Sequence, residues 1–273
     1  MNLNPGQKRV LEQTLNIFET GSRDGDYANI SIFADGPGNR RQVTYGRSQT
    51  TEWGNLKELV AMYVAANGAK FAGSLKPFVA QIGKTSLVDN GTFKSLLKQA
   101  GREDPVMKTT QDAFFDKRYF LPAMAWADAN GFTLALSALV IYDSFIHSGG
   151  ILQHLRMKFR GIKPVGDPTP AEVRAYRKAR SNELTISFKE TLAKLPKTRE
   201  LPPAKGGDEK AWIKAYTLAR QNWLATHPRK ILNGTIYRTK CFLAQIALAN
   251  WDLWTSFKTQ GVLVPGAIPT TNA

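Results

Sequence analysis

The chain has 273 residues, 42% of them hydrophobic, a single cysteine and a formal net charge of +15. That apolar fraction is enough for the core of one large domain or two small ones, and it excludes disorder throughout the chain. The lone Cys241 excludes an internal disulfide framework and any multi-cysteine zinc or iron–sulfur site.

Asn4 and Pro5, followed by apolar Val10, Leu11, Leu15 and Phe18, predict an amphipathic helix that begins at Pro5 and is stopped by Gly21. Glu19 then lies in its last turn. Two β-patterned runs follow, residues 30–35 and 41–45, joined by Gly36-Pro37-Gly38-Asn39-Arg40. They predict a hairpin with a longer loop, the only convincing strand pattern in the chain. From Asn55 onward the periodicity is helical, predicting helices over 56–66, 71–81, 93–100, 105–129, 132–147, 170–195, 209–226 and 229–251. Segments 161–169 and 194–207, rich in Pro, Gly and Lys, read as linkers or surface loops.

The longest apolar stretch, 131–146, contains Ser137 and Asp143 and falls short of the roughly 20 residues a membrane span needs. It predicts a buried helix. The N-terminus has no apolar leader, so the sequence shows no secretory signal. The expected site of action is outside the cytoplasm, reached by an unseen route or after loss of a leader.

Charge is unevenly placed. Residues 1–60 carry seven basic and seven acidic side chains, whereas 151–220 carry sixteen basic and seven acidic. Such an excess suits either a polyanionic partner or a solvated basic helix face. No aromatic-interleaved or helix-turn-helix pattern accompanies it, so nucleic acid is not the expected partner. Gly36-Pro37-Gly38 lacks the third glycine and βαβ context of a dinucleotide loop. His147, His154 and His227 lack metal-ligand spacing, and neither a metal nor another cofactor is expected.

A helix, a Gly-rich hairpin and a helical body imply two lobes, with substrate in the crevice between them. Glu19 sits where the negative end of a helix dipole, and any burial, favours the protonated form that a general acid needs. Asp35 ends the first hairpin strand in an exposed setting, which suits a base. One acid and one base is the pairing used in glycoside hydrolysis. Asp143 has apolar neighbours on every side and needs cationic partners. Arg220 and Arg238, each alone among apolar and aromatic residues, are the candidates, and a structural ion pair is the alternative reading.

Phe18-Glu19, Val43-Thr44-Tyr45-Gly46, Asp116 to Phe120 with Pro122, Ile141 to Gly150 and Tyr216 to Arg220, in that order, resemble the chitosanases of glycoside hydrolase family 46. The resemblance implies a mainly α (α+β), lysozyme-like fold of two helical lobes with a small β-hairpin or sheet at a substrate cleft. It implies one catalytic domain over 1–273, with a hairpin lobe at 20–60, a helical body at 61–255 and an irregular tail at 256–273. It also implies inverting cleavage of β-1,4 links between glucosamine units. In that scheme Glu19 is the general acid, Thr44 helps position the attacking water, and Asp143, Arg220 and Arg238 form a charged network that holds Glu19. Counting back from Thr44, the family's catalytic Asp position falls on Asn39, which cannot act as a base. Asp35 is the nearest carboxylate and takes that role. Tyr45, Arg47 and His147 are candidate substrate contacts. The expected partner is an amino-sugar polysaccharide acted on by a monomer: chitosan by resemblance, peptidoglycan as the alternative that the basic charge favours, with an inactive glycan binder as a third reading.

Overall fold

A computed structural model of the chain describes residues 1–47, 49–151, 201–225, 227 and 230–268. The helix expected over 170–195, the loop over 161–169, most of the basic stretch 151–220 and His154 lie outside the described residues. Two compact units are present. The hairpin unit comprises Glu12–Leu121 with Gln260–Val264, and the helical unit comprises the described residues of Met1–Leu11, Pro122–Thr259 and from Pro265 onward. The segment 20–60, expected as the small lobe, lies wholly within the first of these.

Helix α1 spans Pro5–Thr20. Its end is set by Gly21, which takes φ 71° and donates its N–H to the Ile17 carbonyl at 2.9 Å. A left-handed residue at this position closes the helix, and glycine adopts it without strain.

In the hairpin unit, β1 (Ile30–Phe33) pairs antiparallel with β2 (Gln42–Tyr45), with Ile30 opposite Tyr45 and Ser31 opposite Thr44. A third strand, β3 (Thr50–Thr51), adds to the other side of β2, giving the order β1-β2-β3. Two residues are too few to leave a periodic signal, which is why only a hairpin was legible. Helices α2 (Leu56–Ala65), α3 (Ala72–Val79), α4 (Gly91–Glu103) and α5 (Pro105–Phe115) follow. Val43 and Tyr45 share one core with Leu59, Tyr63, Phe93, Leu97 and Phe114 from those helices. Gly101 of α4 lies against the Tyr27 carbonyl so closely that a Cβ there would collide with it. The expected helix over 105–129 is divided by a π-helical segment, Asp116–Phe120, before α6 (Leu121–Ala129).

The helical unit contains α7 (Ala135–Ser148), α8 (Glu209–Ala225), α9 (Lys230–Asn233) and α10 (Tyr237–Ala247). Every residue from Ala135 to Ser144 is buried, as the continuous apolar run predicts. Glu209 caps α7, accepting from the Leu134 N–H at 2.8 Å. Trp126, Phe132, Trp212 and Tyr216 pack ring against ring beside it. The expected helix over 229–251 is interrupted by a 3-10 turn at Gly234–Ile236. The tail is not wholly irregular: Phe257–Thr259 (β4) and Val262–Val264 (β5) are strands, and Gln260 and Gly261 between them both have positive φ. Positive φ at two successive residues is the geometry of a tight two-residue turn. Among the described residues no helix is long and apolar enough to cross a membrane.

Candidate active site

Glu19 is carried by the last turn of α1, whose apolar side, including Leu15, Ile17 and Phe18, is buried. The Glu19 side chain is partly buried. It acts electrostatically on Tyr119 of the π-helical segment, whose hydroxyl accepts from Asn55 Nδ2 at 3.1 Å. Burial pushes the Tyr119 phenol above its ordinary value. The Asn55 hydrogen bond and Arg118 oppose this, and Glu19 adds to it. The sequence pattern marked Tyr119 as part of a motif without giving it a role. π segments inside helices recur at functional sites because they redirect a side chain.

Asp35 is exposed, two residues beyond the end of β1. Gln42 Nε2 donates to its Oδ1 at 2.8 Å. The intervening loop holds a single 3-10 turn, Pro37–Asn39, and is closed by the Gly36 N–H donating to the Arg40 carbonyl at 3.0 Å. Asn39, at the position where the family's aspartate would fall, is exposed and has φ 59°. It is a turn residue, a conformation Asn tolerates better than most side chains.

Thr44 lies in mid-β2, opposite Ser31 on one side and Thr51 on the other. It is buried, and its Oγ1 has no hydrogen-bond partner among the described residues. A buried hydroxyl without a partner is costly.

The next two candidates need correction as substrate contacts. Tyr45 is 0% exposed, and its hydroxyl donates to the Leu97 carbonyl at 2.7 Å within the core of the hairpin unit. The alternation of β2 turns it away from the face that carries Thr44. Arg47 is also buried. Its guanidinium lies 3.2 Å from Asp112 Oδ1, between the rings of Tyr27 and Phe115. An arginine so enclosed is held for structure, with no face left for a polymer.

The helical unit brings four of the expected residues together. Asp143 on α7 is fully buried, with Oδ2 2.6 Å from Arg220 Nη1 and Oδ1 2.7 Å from Arg238 Nη1. Burial pushes the Asp143 carboxyl upward, but the guanidiniums of Arg220 and Arg238 outweigh it and hold the group below its ordinary value. His147, one turn further along α7, has Nδ1 3.2 Å from Arg220 Nη2. Arginine can only donate, so Nδ1 is the acceptor and the ring proton sits on Nε2. Burial, with Arg238 and Arg220 nearby, pushes His147 down to about 3, so the ring is neutral.

A family model described as glycosyl hydrolase family 46 matches residues 13–164, more than half of the chain and a span that holds Glu19, Asp35, Thr44 and Asp143. The chain belongs to this family. The chitosanase of Bacillus subtilis (strain 168) is 31% identical over 150 residues, covering 54% of this chain and 53% of that protein. The match thus spans about half the length of that curated relative. Among solved structures, native chitosanase from Bacillus subtilis MY002 superposes with a TM-score of 0.66 at 24% identity, over 95% of this chain and 97% of that one. The family 46 chitosanase of Gynuella sunshinyii, in complex with chitotetraose, gives 0.67 at 23% identity over 96% and 98%. Those likenesses speak for a shared fold, mainly helical with a small antiparallel sheet and lysozyme-like in class.

Proposed function

We propose that this chain is an endo-acting, inverting hydrolase of the β-1,4 links of chitosan, with Glu19 as general acid and Asp35 as general base. The observation that carries this reading is the family 46 match, which runs through both carboxylates and Thr44. A relative that is itself a chitosanase, and a fold neighbour that holds chitotetraose, support the substrate class.

In this scheme Glu19 gives its proton to the glycosidic oxygen as the bond to the anomeric carbon breaks. Asp35 takes a proton from a water attacking the opposite face of the sugar, which inverts the configuration. The Thr44 hydroxyl, which no described protein group satisfies, holds that water. Both carboxylates come from one chain, so a monomer suffices. A polymeric substrate too large to cross a membrane supports a site of action outside the cytoplasm. The basic composition by itself would favour an anionic wall polymer, and family membership outweighs it.

Reducing-end release from chitosan and from purified sacculi, measured in parallel, tests the substrate. Release from sacculi and none from chitosan would overturn it. Glu19→Gln is expected to lower kcat by about 10²- to 10⁴-fold with an unchanged circular dichroism spectrum. A Glu19→Gln protein with the parent's turnover would remove Glu19 from the mechanism. Proton NMR of early products should show the α-anomer, and a β-anomer first would overturn inversion.

A further inference from the structure

Gln42 opens β2, and its side chain is almost wholly buried at 4% exposure, although Asp35 beside it is exposed. The amide is held at both ends. Its Oε1 accepts the Trp53 backbone N–H at 3.2 Å, and its Nε2 donates to Asp35 Oδ1 at 2.8 Å. A backbone N–H can only donate, so the amide oxygen must face Trp53 and the amide nitrogen must face the carboxylate. The flipped amide would set oxygen against carboxylate and nitrogen against N–H, and lose both bonds.

We propose that Gln42 is a positioning residue for the hydrolytic reaction: it holds Asp35 by Oδ1 and leaves Oδ2 to receive the proton of the attacking water. The inference rests on the proposed role of Asp35 as general base.

The geometry explains the need for such a tether. Asp35 sits at the mouth of a loop in which Gly38 and Asn39 both have positive φ, and nothing in the loop's own turn restrains a carboxylate rotamer. Gln42 supplies the restraint from the far side of the loop, and its own anchor is a different part of the chain. Trp53 is fixed in turn. Arg40 lies 5.6 Å over its ring, and Gly36 comes so near that a Cβ would stand 3.1 Å from Trp53 Cδ1. Asp35, Gly36, Arg40, Gln42 and Trp53 therefore form one packed unit around the base.

The donor's chemistry is also suited to the task. A neutral amide steadies the ionised carboxylate without a full positive charge, which would weaken its pull on a proton. The step is then complete. The O–H bond of water breaks and its proton passes to Asp35 Oδ2, the water oxygen bonds to the anomeric carbon, and the departing glycosidic oxygen takes the proton of Glu19.

Gln42→Glu tests this with little change of volume. The new carboxylate still accepts the Trp53 N–H but has no N–H to give Asp35, and it repels it. The expected result on chitosan is a fall in kcat of about ten- to a hundredfold, the scale of a misplaced reacting group, with KM within about twofold of the parent. Asp35→Asn serves as the reference and is expected to be inactive. Asp35→Asn combined with Gln42→Glu restores an amide–carboxylate hydrogen bond with its polarity reversed. It is expected to recover the melting temperature of the parent, which reads the hydrogen bond between the two side chains; the fall in kcat at nearly constant KM in Gln42→Glu is the outcome a purely structural Gln42 would not give. Gln42→Glu with the parent's kcat, alongside an inactive Asp35→Asn, would overturn the positioning role alone. An active Asp35→Asn would overturn the base assignment and the inference with it.

Discussion

In the hairpin unit the buried carboxylates are answered by neutral donors, and in the helical unit by guanidiniums. Glu52, fully buried, accepts from the Val43 N–H at 3.0 Å and the Leu87 N–H at 2.6 Å. Asp104 accepts from the Tyr63 hydroxyl at 2.5 Å and from the Lys70 and Val106 N–H groups at 2.9 Å. Burial pushes Asp104 up, but the Tyr63 and backbone hydrogen bonds prevail and hold it below its ordinary value. The exposed Asp35 is likewise held by a neutral donor, the Gln42 amide. In the helical unit, Asp143 lies between Arg220 and Arg238. The two solutions fail differently. Taking the charge from a carboxylate held by N–H groups loses a hydrogen bond, whereas taking it from Asp143 leaves two buried cations facing each other.

The largest stability effect should therefore come from Asp143→Asn. An uncompensated pair of buried guanidiniums is expected to destabilise the fold by about 3–5 kcal/mol, read as a lower urea midpoint. Glu52→Gln, with the same chemical change, should cost about 1–3 kcal/mol, because one N–H loses its acceptor and no net charge is created in the core. Equal losses in the two variants would break the comparison.

The remaining effect concerns pH. His147 is pushed down to about 3 in the folded protein from an ordinary value of 6.5. The unfolded chain therefore binds the extra proton first. Stability present above pH 6.5 is lost as pH falls towards 3, by an amount on the order of a few kcal/mol. Asp143, held below 3.8, adds a loss of the same sign at still lower pH. His147→Gln keeps an acceptor for Arg220 and removes the titration, so denaturant midpoints measured between pH 6.5 and 3 should fall less steeply than in the parent. An unchanged slope would show that His147 does not sense the two arginines as the geometry requires.

Several of these features were legible in the chain itself. The extent of α1 followed from Pro5, the apolar spacing and Gly21, all local signals. The β1–β2 pairing followed from two short runs separated by a glycine-rich loop. The isolation of Asp143 in an apolar run announced buried partners, and the two arginines were named as candidates because each stood alone among apolar and aromatic residues. Other features were not legible. Tyr45 lies within a motif and Arg47 follows it, and nothing in their neighbours says that one fills a core and the other is enclosed by Tyr27, Phe115 and Asp112. Gln42 reads as an ordinary strand residue. Its function depends on a loop folding back to bring Asp35 and Trp53 to opposite ends of one amide.

What the sequence by itself determined is the helical plan, the hairpin and the residue types able to do acid–base chemistry, because helix stops, strand alternation and burial patterns are set within a few neighbouring residues. Tertiary structure decided which polar atoms meet. It placed Arg220 and Arg238 on the two oxygens of Asp143, turned His147 into a neutral acceptor, and set the Gln42 amide between Trp53 and Asp35. Hydrogen bonds and ion pairs depend on distances of a few ångströms between groups far apart in the chain, and only the packed fold supplies those.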